Sequence, residues 1–551
     1  MITTFRNLLV LSFVFFSFGC NAAVNPNPVY IRASQVGFLP GDLKTAVIFS
    51  QTPLFNKNFT VVSYPEGKEA FEAEIGDSSY TYDKFKNCYL IDFSKLKKAG
   101  KYAIIADGQK SAPFEIGQNV FNRVVDSLML FFKVQRCGPT NPILHKECHL
   151  SDVSRLIGGD KTGGVDVTGG WHDAGDYIKF LSTTAYTTYM LIFSYEFDIN
   201  KFGFDEDKDN VPDVLAEAKV GLDWLLRCNY DKCKLVTQVQ DLRDHDVGWR
   251  RPENDTLQFD RPGFVGIGKN QIGLYCAVMS LASRIWAEKF NNYEFSKKCL
   301  DAAENIYSIR DKVADIENTN SGFYQDKSFW GKLALGAMEL YNTTKKSNYL
   351  KDAQVYADSA NSDYWWSWGD INSLAHYKVA KVVSHYKDYI HNNLAAFNIN
   401  KNKSPFMEGL AFTWGSTNSL LGVALQAILY KDLTHSHEFD SLAVLQRDYV
   451  VGRNPWGLSF IYNIGKESVR NLHSQIAYFN GGYLPGGLSA GPAPLSVLKD
   501  FKIERSDSKY DFFNTDSVKY YDSRNDYITN EPTISGNATA VFVYGYYSNR
   551  K

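Results

Sequence analysis

Asp173 and Asp176 stand three residues apart in Gly169-Gly170-Trp171-His172-Asp173-Ala174-Gly175-Asp176-Tyr177. That spacing can turn two carboxylates to one side of a turn or of a first helical turn. Such a pair can deprotonate a water, and it can equally cap a helix and do nothing more. The flanking glycines let the backbone approach a ligand, and Trp171 or Tyr177 offers a stacking face. A further acid, Glu531, immediately precedes Pro532. A residue before proline is kept out of the helical region, so Glu531 is expected in extended backbone with a fixed direction. Cys137, Cys148 and His149 together with His172 make a third set. Two thiols and two imidazoles suit tetrahedral zinc. The competing reading is a disulfide between the two cysteines.

Other groupings are weaker. Asp205, Asp207 and Asp209 alternate like the start of a calcium loop, but Asn210 stands where its Gly is expected and Ala216 where its closing Glu is. A solvated helix start, with Asp209 or Asn210 capping and Pro212 in the first turn, is the simpler account. Cys228 and Cys233 are spaced for a small-loop disulfide. Cys88, Cys276 and Cys299 read as buried apolar side chains.

The 551 residues that must position these groups carry 59 basic and 61 acidic side chains, a net charge of −2. That balance excludes a nucleic-acid binder, which needs a basic face to displace phosphate counterions. With 44% hydrophobic and 22% charged residues the chain is a folded protein, not a disordered one. Arg6 followed by the apolar run Leu8 to Phe18 is too short for a membrane span and suits a signal peptide over residues 1–20. Gly19-Cys20 reads as a lipoprotein-type end, with cleavage near Ala22 or Ala23 as the alternative. The mature protein is therefore expected outside the cytoplasm, lipid-anchored at Cys20 on the cell surface or in the periplasm, or secreted.

After a linker at 21–28, residues 29–117 alternate short β-rich stretches (45–49, 59–62, 88–91 and 101–106) with Gly, Pro, Asn and Asp. This regular spacing predicts an immunoglobulin-like β-sandwich. From 118 to 551 the texture changes to amphipathic segments at 120–134, 214–226, 271–288, 330–341, 372–386, 417–430 and 439–451, predicting an all-α second domain. Tyr, Phe and Trp make up 15% of the chain, and flat rings are what stacks on sugars, although most such rings pack a core.

In order along the chain, GGWHDAGDYIKF (169–180), NVPDVLAEAKVGLDWLL (210–226), QVQDLRDHDVGWRRPE (238–253), LAFTWGSTNSLLGVALQAILY (410–430), YVVGRNPWGLSF (449–460) and YYDSRNDYITNEP (520–532) resemble glycoside hydrolase family 9, the inverting cellulases and related β-glucanases. The resemblance covers nearly everything from about residue 118, and one branch of the family carries an N-terminal immunoglobulin-like domain. It implies an (α/α)6 barrel for the helical part. It implies Asp176 as general base, Glu531 as general acid and Asp173 as the residue that helps hold the attacking water. His245, Trp249, Trp414, His473, Tyr527 and Asp526 match substrate-side positions, with Trp365, Trp366 and Trp368 aligned less securely.

The resemblance also implies structural zinc on Cys137, Cys148, His149 and His172, with calcium a weaker reading and no organic cofactor. The expected partner is a β-glucan polysaccharide or oligosaccharide, met by a monomer. The chain departs from the family at Leu472-His473-Ser474-Gln475, where an arginine is missing, and at Ala493, where an Asp is common. An exo-acting β-glucosidase or glucosaminidase, with one end of the groove closed by a loop such as 493–519, is an alternative. So is a non-catalytic surface glycan-binding protein, against which the presence of all three carboxylates argues.

Overall fold

The computed structural model describes residues 28–159, 163–318 and 324–550. The segment expected to be a signal peptide, Cys20 and most of the linker lie outside the described residues.

Two sheets form the N-terminal part. One runs in the order Tyr30–Arg32, Thr45–Ser50, Phe85–Asp92, Tyr80–Tyr82. The other runs Gly37–Phe38, Phe114–Ile116, Gly100–Ala106, Asn58–Ser63, Glu69–Glu74, with Gln109–Lys110 beside Gly100–Ala106. Thr45–Ser50 pairs antiparallel with Phe85–Asp92, from Thr45 opposite Asp92 to Ser50 opposite Asn87. All six of its residues are buried. Ala46 and Ile48 face the sandwich core, while Val47 and Phe49 belong to the core of the helical part. The strand is therefore dry on both faces and shows no polar alternation. Phe49 meets Phe406 edge-on at 5.6 Å, and Gln35 donates to the carbonyls of Gly457 and Glu467.

Twelve helices of eight residues or more follow among the described residues: α1 (Asn122–Gln135), α2 (Leu181–Phe197), α3 (Asp213–Cys228), α4 (Lys269–Phe290), α5 (Tyr293–Tyr307), α6 (Trp330–Thr344), α7 (Ser347–Ala360), α8 (Asn372–Ala380), α9 (Lys387–Asn400), α10 (Ser416–Thr434), α11 (Asp440–Val450) and α12 (Ile534–Tyr547). The even-numbered six close a ring, α2 on α4, α6, α8, α10, α12 and back to α2. Each has an outer partner: α3 on α2, α5 on α4, α7 on α6, α9 on α8, α11 on α10 and α1 on α12.

Burial in the ring accounts for two helices that the amphipathic pattern does not reveal. Outer helices are wet on one side and carry a stripe, as α3 does with Val214, Leu215, Ala218, Leu222 and Leu225. In α2 every residue from Leu181 to Tyr195 is buried, and in α12 every residue from Ile534 to Gly545 is. A helix covered all round has no stripe to show, so neither α2 nor α12 is among the seven segments expected.

The second domain is also not purely helical. Arg155–Ile157, Pro262–Val265, Val236–Val239 and Lys179–Phe180 form a small sheet, and Ala493–Pro494 pairs with Val518–Lys519. Strands of two to four residues are too short for a period of two to register. The loop bearing Asp173 and Asp176 runs directly into Lys179–Phe180 and α2, while Glu531 lies just before α12.

Candidate active site and neighbouring metal centre

Three loops are stitched together where α2 and α12 begin. Gln475 N donates to Gly175 O at 2.9 Å, His473 N to Asn530 O at 3.0 Å, and Ile534 N to Asp173 O at 3.0 Å. Gly175 is required by this closeness: a Cβ there would meet His473 O at 2.2 Å and Glu531 Oε1 at 3.0 Å. Gly170, at φ +71°, would put a Cβ 2.7 Å from the Trp224 ring. These glycines make room for protein and not for a ligand. Nor are Trp171 and Tyr177 stacking faces: both are fully buried, with Trp171 Nε1 donating to Glu217 at 2.8 Å and the Tyr177 hydroxyl donating to Arg250 O.

The three acids occupy different surroundings. Asp176 places Oδ2 2.9 Å from His245 Nε2 and accepts the Ile178 N–H on Oδ1 at 3.1 Å. The His245 imidazole is raised above its usual range chiefly by that hydrogen bond. Glu531 has extended backbone, φ −85° and ψ 129°, the direction expected before proline. Its Oε1 accepts the Gly175 N–H at 3.1 Å. Burial first, and then the charge of Asp176, push the Glu531 carboxyl well above the ordinary carboxylate range. Asp173 is buried and accepts hydrogen bonds from the Thr183 and Tyr324 hydroxyls. Burial pushes its carboxyl up to about 7 while those two bonds oppose the shift.

A row of rings borders the acids. Trp249 lies 5.4 Å from Tyr478 and 5.1 Å from His473. His473 lies 5.7 Å from Tyr527, which lies 5.9 Å from Trp414. Burial lowers the His473 imidazole below its usual range, so the ring is neutral at neutral pH. His245 and Trp414 are exposed; Trp249, His473 and Tyr527 are half-buried.

Two expected substrate contacts fail. Asp526 is fully buried: its carboxylate accepts the Ile528 and Thr529 N–H groups and pairs with Arg505 at 2.6 Å. It caps the short turn before Glu531 and turns no oxygen toward a sugar. Trp366 is fully buried, filling the space over Gly422. Trp365 and Trp368 are half-buried, and Trp368 meets Tyr324 edge-on at 5.2 Å. Thr183, Tyr324 and Tyr478 also belong to the site. No motif marked them, because they come from segments with no pattern of their own.

On the other side of the same loop, Cys137, Cys148, His149 and His172 are all buried, with one possible ligand atom from each lying within 4.8 Å of the others. His149 Nδ1 is 3.5 Å from Cys137 Sγ and 3.2 Å from His172 Nε2. His149 Nε2 meets Asp255 at 3.0 Å, the outer carboxylate that metal-bound histidines use to fix orientation. The described cysteines are all free. The Cys137–Cys148 disulfide is thus not formed, and two soft and two borderline donors packed this closely fit zinc.

The Cys228–Cys233 disulfide is not formed either. Cys228 is buried at the end of α3, and Cys233 Sγ turns to Asn305 O at 3.2 Å. Cys88, Cys276 and Cys299 are buried, as expected. The Asp205, Asp207 and Asp209 carboxylates do approach one another within 4.8 Å, but Asp205 accepts the N–H groups of Asp209 and Asn210. Neither Asp209 nor Asn210 caps α3. Pro212 stands at its N-cap, outside the first turn.

Comparison with known proteins gives the same two parts. The model of "Glycosyl hydrolase family 9" matches residues 121–544, and that of the "Cellulase N-terminal ig-like domain" matches residues 28–111. A cellodextrinase of Butyrivibrio fibrisolvens is 25% identical, over 93% of this chain and 98% of its own. Endoglucanase D of Acetivibrio thermocellus is 24% identical, over 94% of this chain and 83% of its own. Among solved structures, a metagenome-derived glycoside hydrolase family 9 endoglucanase superposes with a TM-score of 0.81 at 25% identity, covering 95% of this chain and 99% of that one.

Proposed function

This chain belongs to glycosyl hydrolase family 9, and from that premise we propose that it hydrolyses β-1,4-glucosidic bonds of cellulose or related β-glucans by inverting single displacement. The observation that carries the reading is the pairing of unlike acids. Half-buried Glu531 has its carboxyl raised well above the ordinary carboxylate range by desolvation and by the charge of Asp176, while Asp176 is tied to His245. A proton donor next to an ionised carboxylate is what an inverting hydrolysis needs. Glu531 gives its proton to the departing glycosidic oxygen. Asp176 takes a proton from the water that attacks the anomeric carbon from the opposite face. Asp173, anchored by Thr183 and Tyr324, helps hold that water. His245, Trp249, Trp414, His473 and Tyr527 line the sugar path.

The closed ring of α2, α4, α6, α8, α10 and α12 with its outer partners supports an (α/α)6 barrel, with the domain border at 117/118. Cys137, Cys148, His149 and His172 would hold zinc. The metal supplies no chemistry to the reaction and braces the loop that carries Asp173 and Asp176. Export, with a lipid on Cys20, and a monomeric state complete the reading.

Proton NMR of the first minutes of hydrolysis tests it. A β-linked glucan is expected to release the α-anomer first. An initial β-anomer means a covalent intermediate and a different role for Asp176.

A further inference from the structure

Between Pro494 and Val518, whose strands are paired, the chain makes a long excursion that lies between the resembling segments at 449–460 and 520–532. It is anchored at both ends. Phe512 and Phe513 pack on the sandwich, with Phe513 4.9 Å from Tyr30 and 6.1 Å from Phe49. The Tyr82 hydroxyl donates to Phe513 O at 3.1 Å. At its other end the excursion grips the segment that leads to Glu531. Phe501 meets Tyr527 at 5.8 Å, at 86°. The Arg505 guanidinium lies 4.7 Å from the Tyr521 ring and donates from Nε to Asp526 Oδ2 at 2.6 Å.

Asp526 is where this grip becomes consequential. Its Oδ1 accepts the N–H groups of Ile528 at 2.9 Å and Thr529 at 3.2 Å, capping the single turn Tyr527–Asn530. Glu531 is the next residue. A one-turn helix has no length to stabilise itself, so its orientation depends on its cap. Asp526 is fully buried, and a buried carboxylate holds its place when a cation answers its charge. Arg505 is the cation in contact with it.

We infer that Arg505 is a positioning residue for the general acid. Through Asp526 it fixes the turn that aims the Glu531 carboxyl at the glycosidic oxygen. The inference rests on the proposed role of Glu531. It makes proton delivery depend on an arginine from a segment anchored on the immunoglobulin-like domain.

The test compares two substrates: cellotetraose, whose leaving group needs a proton, and dinitrophenyl β-cellobioside, whose leaving group does not. Arg505→Met keeps an unbranched stem and removes the guanidinium, with its ion pair to Asp526 and its contact with Tyr521. It is expected to lower kcat on cellotetraose about 10- to 100-fold, the scale of a small misplacement of a reacting group. On the aryl glycoside kcat should change far less, and KM for both should be nearly unchanged. Equal losses on both substrates, or no loss on cellotetraose, overturn the inference, since general loosening of the fold does not select by leaving group.

Arg505→Lys retains a charge but lacks Nε. It should give the same selectivity with a smaller ratio, and it serves if the methionine variant does not fold. Glu531→Gln run alongside separates the two readings. If it keeps wild-type activity on cellotetraose, the acid assignment fails. If it is inactive there while the Arg505 variants are not selectively impaired, only the present inference fails.

Discussion

His172 and Asp173 are neighbours on one loop, yet the two sides of that loop are built for opposite purposes. The His172 side is closed: four buried donors, an outer carboxylate at Asp255 and the buried Tyr177 ring packed 4.8 Å from His172. The Asp173–Asp176 side opens onto exposed His245 and Trp414, with the raised carboxyl of Glu531 beside it. A structural metal site wants every ligand position filled by protein and every ligand deprotonated, whereas a hydrolytic site wants a position left for water and one acid kept protonated. On the proposed reading, packing both on one short loop lets a metal on the dry side brace the geometry of the wet side.

The largest expected effect breaks the wet side alone. Glu531→Gln should lower kcat on unactivated glucans about 10²- to 10⁴-fold while leaving the melting temperature and bound metal intact. The acid works only when protonated, so wild-type kcat is lost as pH rises through the pKa of Glu531. Because that pKa is raised, activity persists on the alkaline side of the ordinary carboxylate range. In Glu531→Gln this alkaline limb should vanish. A limb that persists unchanged belongs to another group.

Breaking the dry side should read out differently. Asp255→Asn removes the carboxylate behind His149 and is expected to weaken zinc binding about 10- to 100-fold, measured by competition with a chelator, with a smaller change in kcat. Mild acid should weaken binding in the wild type, because thiolates and neutral imidazoles are the ligands. If elemental analysis of the purified protein finds no stoichiometric zinc, the contrast between the two sides loses its dry half.

The smallest effect sharpens the comparison. Trp249→Ala removes one ring from the row along the acids, and an aromatic contact is worth about 0.5 to 1.5 kcal/mol. KM for oligosaccharides should rise about 2- to 12-fold, with kcat and zinc content unchanged.

Much of this was legible in the residues. Glu531 before Pro532 is extended for a local steric reason, and Cys137, Cys148, His149 and His172 announce a candidate ligand set by type. The outer helices α1, α3 and α11 carry stripes because one face meets water. The inner α2 and α12 do not, because burial on all faces erases the signal. Gly170 and Gly175 were equally legible as necessary glycines, but what approaches them is Trp224 in one case and His473 and Glu531 in the other.

The sequence by itself determined the chemistry on offer: which acids, which soft ligands, which rings, and a β-rich part ahead of a helical one. These follow from residue type and local backbone preference, which need no partner. Only the tertiary structure decided how each group is used. Asp526 became a cap and not a sugar contact, because Arg505 arrives from 21 residues away. Glu531 acquires a raised carboxyl, the property its proposed role needs, because burial and Asp176, 355 positions earlier in the chain, act on it together. Desolvation and the charge of a distant neighbour depend on what the fold brings within a few ångströms, and no local pattern records that.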